Sequence, residues 1–264
     1  MSLLDPISHV LAAAVAAAHS GLTALGAGPD SGTTWFLCIA AVVVAVRVTL
    51  LPLAIHSVRL ARASAQARPQ LQRLADRYRG RRDPESVRAL VEERRRIAAE
   101  HRMSRLGCLP FLLQLPIWLA LYHLLADVAA GVPVGLMDAG LVASLGAATL
   151  LGVPLAERGY LGGGWTHLAV VAGLAGTAAL LTFVTQRFLV APNAVVADMP
   201  EVLARTHQLL PAFSALGMVV AGGVVPVALL GYWVVNALWT MGQSAVVWRW
   251  FPTPGSPAAA RVRR

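Results

Sequence analysis

The sequence predicts an all-α integral membrane protein, with five transmembrane helices around a hydrophilic groove open to the cytoplasm and a helical hairpin on the cytoplasmic side. Three observations carry this. Of 264 residues, 57% are hydrophobic and only 13% charged, and mean hydropathy is +0.64. A soluble domain of this size cannot hide so much apolar surface, and a disordered chain would not carry it. Apolar runs recur at about 20 residues, the length that crosses a bilayer. All 22 basic residues are arginine, and they sit unevenly along the chain. The two cysteines, Cys38 and Cys108, lie in apolar runs, which excludes a disulfide scaffold and gives no metal spacing. No cofactor or metal is expected.

Residues 35–56 form the first predicted span, with Arg47 inside it. Residues 106–126 form the second. The third covers 165–188, with Trp165 at one end and Arg187 at the other. Residues 206–223 and 226–249 form a close pair, split by Gly222, Gly223 and Pro226. Residues 7–27 are apolar but interrupted by His9, His19 and Ser20. Asp5 and the lack of a basic start fit a cleaved leader poorly, so segment 1–34 is expected outside, as a helix lying flat on the membrane. Within the outer loop 127–164, residues 139–156 are rich in small residues and contain Pro154, and are expected as a surface or re-entrant segment rather than a sixth span.

Arginine placement sets the orientation. Residues 57–105 hold 14 Arg against six acids, whereas residues 1–46 hold none. With 57–105 in the cytoplasm, the loop 189–205 and the tail 250–264 fall on the same side, and Arg158 alone lies outside. The N-terminus is then out and the C-terminus in. The basic stretch itself predicts two helices. Pro69 is expected in the first turn of one, followed by an apolar stripe of Leu71, Leu74 and Tyr78. Gly80 to Asp83 reads as a turn. Asp83 then caps a second helix, with Pro84 and Glu85 in its first turn and Val87, Leu90, Val91 and Ile97 as its stripe. Matching stripes make an antiparallel hairpin, whose basic faces suit a contact surface for RNA or anionic lipid.

Arg47 is the most informative residue. As the thirteenth residue of its span it lies about 18 Å deep, where a charge costs roughly 2.5–3.5 kcal/mol. No Asp or Glu lies at comparable depth in the other spans. A buried, unpaired cation needs water, so the expectation is a wet cavity open to the cytoplasm and ready for an anionic group. Gln114, Gln186, Asn236 and Gln243 can share it, although each alone suits an interhelical hydrogen bond. Asn236 and Gln243 lie on one face of the last span. Tyr232 and Trp233 lie well inside the same span, suited to packing or to lining a groove.

These residues carry a likeness. Val46-Arg47-Val48-Thr49-Leu50-Leu51-Pro52-Leu53 resembles the first core span of the YidC/Oxa membrane protein insertases. Pro69-Gln70-Leu71-Gln72 with Tyr78 is similar to the start of their hairpin. Gly107-Cys108-Leu109-Pro110-Phe111-Leu112-Leu113-Gln114-Leu115-Pro116-Ile117 is close to their most specific motif, and Gly231-Tyr232-Trp233 with Asn236 and Gln243 resembles their last span. The likeness covers about residues 35–251. It implies a non-enzymatic insertase and chaperone whose groove receives hydrophilic tails of newly made membrane proteins and releases their spans sideways to lipid. Arg47 matches the groove arginine; Gln186 and Trp233 match polar and aromatic groove positions. The implied partners are nascent membrane proteins, membrane lipid and, through the hairpin, the ribosome and the Sec translocon, with no specific nucleic-acid target. The implied location is the bacterial cell membrane. The chain departs from the pattern at Met103-Ser104-Arg105-Leu106, where an Asn-Pro is usual. It lacks a large periplasmic domain, so the short, Gram-positive type is expected.

A transporter or channel for a small anionic solute is the rival reading. It predicts repeated halves, broken helices or a ring of charges, and the sequence has no internal repeat and one buried charge. An intramembrane enzyme is weaker still: the seven His are scattered, with no HExxH or GxSxG.

Overall fold

The computed structural model describes residues 5–81, 83–101, 109–161, 163–195 and 201–262. The described chain is helical almost throughout. Helix α1 (Asp5–Ala24) turns back at residues 25–31 into α2 (Gly32–Thr49), and α3 (Leu51–Arg77) and α4 (Pro84–Glu100) follow. Next come α5 (Leu109–Ala129), the short α6 (Ala139–Ala147) and a two-residue antiparallel pair, β1 (Thr149–Leu150) with β2 (Val153–Pro154). Helix α7 (Gly164–Val184) continues through a π-helical turn (Thr185–Val190), and α8 (Glu201–Gly222), α9 (Val227–Trp250) and α10 (Pro257–Val262) complete the order. Helices α7, α8 and α9 pack together, α2 packs on α9, and α1 packs on α2 and α5.

Asp5–Ala24, Gly32–Thr49 and Gly164–Asn193 are, among the described residues, the helices long and apolar enough to cross a membrane. Helix α9 has the length, but Tyr232, Trp233, Asn236, Thr240 and Gln243 dilute its hydropathy. Helix α6 is nine residues long, far short of the ~20 that span hydrocarbon, so no sixth span forms there. Large apolar side chains stay exposed around the outside, among them Leu180, Phe213, Leu216 and Val220. Such a belt suits lipid rather than water.

The polar interruptions of helix α1 find backbone partners, one within the helix and one in the turn that follows it. His9 Nδ1 lies 2.6 Å from the Asp5 carbonyl, and His19 Nε2 lies 2.9 Å from the Pro29 carbonyl. Leu11, Ala12 and Val15 are buried against its neighbours. At the same end Trp35, fully buried, stacks against His19 at 4.5 Å and donates its indole N–H to Ser144 Oγ at 3.1 Å. Gly32 sits so close to β1 that a Cβ there would lie 1.9 Å from the Thr149 carbonyl oxygen, so the start of α2 admits glycine only.

The loop Leu155–Tyr160 closes this end. The first amides of α9 have no side-chain cap, and Val227 and Ala228 donate instead to the Glu157 and Leu155 carbonyls, both at 2.9 Å. Arg158 donates to the Ala126 carbonyl at 3.1 Å, in the last turn of α5, where a cation complements the helix dipole. His167 Nε2 lies 2.8 Å from the Gly159 carbonyl, and Tyr160 donates to the Val219 carbonyl. One short loop thus stitches α5, α7, α8 and α9.

One expectation is corrected at the other end. Within the run 35–56 the helix is interrupted at Leu50. Helix α2 stops at Thr49, and α3 restarts at Leu51, because Pro52 has no N–H for the Val48 carbonyl. Pro69 does not start a helix; it lies inside α3, which runs unbroken from Leu51 to Arg77. Pro69 is exposed, so water can satisfy the carbonyl it leaves unbonded, and α4 packs alongside the helix that carries it. The hairpin itself forms as an antiparallel pair: Arg77 meets Glu93 at 3.4 Å and Gln70 meets His101 at 3.3 Å. Leu74 of the expected stripe is buried.

The cap on α4 also forms, with Asp83 Oδ2 accepting the Ser86 amide at 2.8 Å. Hydrogen bonds from Ser86 hold the Asp83 carboxyl below its ordinary range. A depressed folded value means the cap is complete above the ordinary pKa of about 3.9 and is lost as pH falls through the lower folded value. The Ser86 amide proton shift, followed by NMR, is expected to titrate with a midpoint below that ordinary value. In Asp83→Asn, which keeps a capping oxygen, the same amide should stay bonded and stop titrating.

Candidate functional site

Arg47 occupies the last turn of α2, where its charge complements the helix dipole. It is half-buried and faces α9. Its Nε donates to Asn236 Oδ1 at 3.1 Å, its Nη2 donates to the same oxygen, and Nη2 reaches Thr240 Oγ1 at 3.3 Å. The Thr240 hydroxyl donates to the Asn236 carbonyl at 2.8 Å, which leaves its lone pairs for the guanidinium. Tyr232, Asn236 and Thr240 recur every four residues, so one stripe of α9 supplies all three. Tyr232 is buried and, with Arg47 and Asn236, lines a void of about 20 Å³, room for roughly one water. Among the described residues no carboxylate pairs with Arg47.

This corrects the sequence expectation in one respect. The guanidinium is not without partners: an amide and a hydroxyl hold it. Both are neutral, so the charge itself stays uncompensated. Thr240 is the residue that sequence reasoning missed. Its position one helical turn after Asn236 was the available signal.

A larger cavity, about 470 Å³, lies where α7, its π-helical turn, α8 and α9 meet. Asn236 and Thr240 line it from α9, and Thr182, Thr185 and Gln186 from α7 and the turn. Leu210, Pro211 and Met218 form the α8 wall. Asn236 lines both this cavity and the small void around Arg47, so the residues that hold the guanidinium also form the cavity wall. The Thr185 hydroxyl is occupied by the Leu181 carbonyl at 2.6 Å, whereas Gln186 Oε1 is buried without a hydrogen-bond donor among the described residues. A π-helical turn changes the register of a helix and is frequent at functional positions; here it carries Gln186.

The anticipated site residues therefore divide. Arg47, Tyr232 and Asn236 come together, and Gln186 faces the cavity on the other side of Asn236. Trp233 is buried in the helix core and lines none of the cavities described here. Gln243 lies about 10 Å farther along α9 than Asn236, opposite α3, in a separate crevice. The Gln114 side chain lies outside the described residues, as does the Gly107-Cys108 pair that precedes it.

Comparison with known proteins adds an independent line. A sequence profile of the family described as 60Kd inner membrane protein matches residues 27–254. A membrane protein insertase YidC of Streptomyces avermitilis is 31% identical over 243 residues, covering 88% of this chain and 55% of its own length. A membrane protein insertase YidC of Tropheryma whipplei (strain Twist) is 28% identical over 281 residues, covering 97% of this chain and 87% of its own. One of Corynebacterium efficiens is 28% identical over 276 residues, covering 93% and 67%. The chain thus spans little more than half the length of the Streptomyces relative.

Proposed function

This chain belongs to the 60Kd inner membrane protein family, that of the YidC/Oxa insertases, and from that premise we propose that it is a bacterial membrane protein insertase. It takes newly made membrane proteins as clients, receives their hydrophilic tails in the polar space beside α9, and lets their apolar segments pass sideways into lipid. It crosses the membrane five times, through α2, α5, α7, α8 and α9, with the hairpin in the cytoplasm and the stitched loop Leu155–Tyr160 outside. The basic hairpin is its surface toward the ribosome or the Sec translocon. No catalytic step is involved.

One observation carries the reading: in the last turn of an apolar helix the Arg47 guanidinium is held, among the described residues, only by neutral groups that also line a cavity. A carboxylate arriving on a client tail can replace Asn236 and Thr240 as acceptor, and a charge-assisted bond is the stronger one. In the exchange Thr240 keeps its bond to the Asn236 backbone carbonyl, and the freed Asn236 side-chain oxygen faces the cavity, where water can serve it. The driving force comes from the client's apolar segment, in which each Leu or Ile near the helix centre contributes about 0.3–0.6 kcal/mol on entering lipid. The bond to Arg47 must stay weak enough to release, since holding the tail equally at every stage would trap it.

The test is insertion in reconstituted vesicles. Proteoliposomes carrying the purified chain are expected to protect the tail of a newly synthesised single-span client from external protease, with no nucleotide added. Protection equal to that of empty vesicles, with anionic solute flux in its place, would transfer the reading to the transporter.

A further inference from the structure

Beside α9 lies a second large space, about 770 Å³, that shares no lining residue with the cavity next to Arg47. Its walls come from two stripes at helical spacing. Helix α3 supplies Leu51, Ile55 and Val58, then Arg59 and Arg62, and α9 supplies Leu238, Gly242 and Val246. From Leu51 to Arg62 the α3 wall runs about 16 Å: aliphatic along most of its length, with two arginines at the end toward the hairpin. Gln243 places one amide on the α9 wall. A Cβ added at Gly242 would meet nothing within 4 Å, so the crevice is open beside this position and a larger side chain there would fill it.

The chemistry differs from that of the first cavity, where Gln186, Asn236 and Thr240 face an apolar wall of Leu210, Pro211 and Met218. Here an aliphatic trough ends in a pair of guanidinium groups. Farther along α3, Arg68 donates to the Val195 carbonyl and Arg77 pairs with Glu93. Arg59 and Arg62 hold no acceptor among the described residues. They lie two to three turns into α3, beyond the end of α2, on the side that the proposed topology gives to the cytoplasmic headgroups. Basic pockets between helices on the cytoplasmic side suit lipid phosphates, and arginine suits them best by its planar fork of donors. The volume lies within the ~300–1,000 Å³ range of sites that bury a ligand, and among the described residues α3 and α9, with Phe251, bound it.

We propose that this crevice holds one anionic phospholipid of the cytoplasmic leaflet, its phosphate on Arg59 and Arg62, its ester oxygens near Gln243 and an acyl chain along Leu51, Ile55 and Val58. The inference rests on membrane placement and stands apart from the insertase reading.

The probe is phosphatidylglycerol in phosphatidylcholine nanodiscs, with the full chain purified and bound lipid counted by native mass spectrometry. The wild type is expected to retain one phosphatidylglycerol in preference to phosphatidylcholine. Arg59→Ala with Arg62→Ala should weaken that retention about 25-fold, roughly fivefold per arginine. Arg88→Ala with Arg95→Ala, on α4, should leave it unchanged. Gly242→Leu, which keeps both arginines and fills open space, should also release the lipid. On the unmodified protein, a phosphatidylglycerol with a photoreactive acyl chain should label the facing stripes of α3 and α9. Equal loss in the α4 control, equal retention of the zwitterionic lipid, full displacement by millimolar inorganic phosphate, or labelling of these stripes by a nascent client instead of lipid would each overturn the proposal.

Discussion

Replacing Arg47 with alanine is expected to lower insertion of clients with acidic N-terminal tails about tenfold, with little change for clients whose tails are uncharged. A hydrogen bond to a charged group contributes about 1.5–3 kcal/mol, and 1.4 kcal/mol is a factor of ten, so loss of one guanidinium–carboxylate bond gives an effect of this size. The fold should tolerate the change: Thr240 keeps its bond to the Asn236 backbone carbonyl, and the cavity beside them has room for water to serve the freed Asn236 side-chain oxygen. Asn236→Leu is the opposite case. It leaves the half-buried guanidinium with Thr240 alone and is expected to destabilise the protein by about 1.5–3 kcal/mol. The double variant Arg47→Met with Asn236→Leu should recover much of that stability, because it removes the stranded charge as well as its partner. Arg47→Lys keeps the charge without the planar fork and should fall between wild type and Arg47→Ala. Protease protection in proteoliposomes measures insertion, and thermal unfolding in detergent measures stability. Equal loss for charged and uncharged tails would make Arg47 a structural residue.

Trp35→Ala is expected to be the most destabilising single change at the opposite end, costing about 3–5 kcal/mol. The indole is fully buried, stacks on His19 of α1 and donates to Ser144 of α6. Its loss leaves a large void and severs the link between α1, α2 and α6. Ser144 keeps its bond to the Pro29 carbonyl at 3.0 Å, so the polar cost is small and the packing loss dominates. Trp35→Phe, which retains most of the volume, should cost less than half as much. If this end closes the membrane-spanning part against the outside, Trp35→Ala should also raise dye leakage from proteoliposomes, whereas Arg47→Ala should not. Thermal unfolding and a leakage assay read the two effects separately.

Local signals in the sequence transferred well to the structure. Asp83, Pro84 and Glu85 carry their own capping chemistry, and the hairpin helix starts where they place it. In the stretch 139–156 small residues, glycine and Pro154 go with short elements, a nine-residue helix and a two-residue strand pair. Features that depend on distant contacts were less legible. Pro69 sits inside a helix that packs alongside α4. Arg158, expected from the sequence as the lone outer arginine, finds its partner only when α5 ends beside it. Thr240 joins the Arg47 cluster because α2 and α9 lie side by side. Gln186 reaches the cavity from a π-helical turn, a register change that hydrophobic periodicity does not reveal. Trp233 and Gln243 look like companions of Asn236 in sequence, yet one packs into the core and the other faces α3.

Site-specific photocrosslinking from position 186 to a stalled, newly made membrane protein tests the account most directly. With an acidic client tail, an adduct should form at position 186, weaken when the tail carboxylates are changed to amides, and weaken equally in Arg47→Ala. Adducts that are no stronger at 186 than at the exposed, outward-facing Leu180, and that ignore both the tail charge and Arg47, would contradict it.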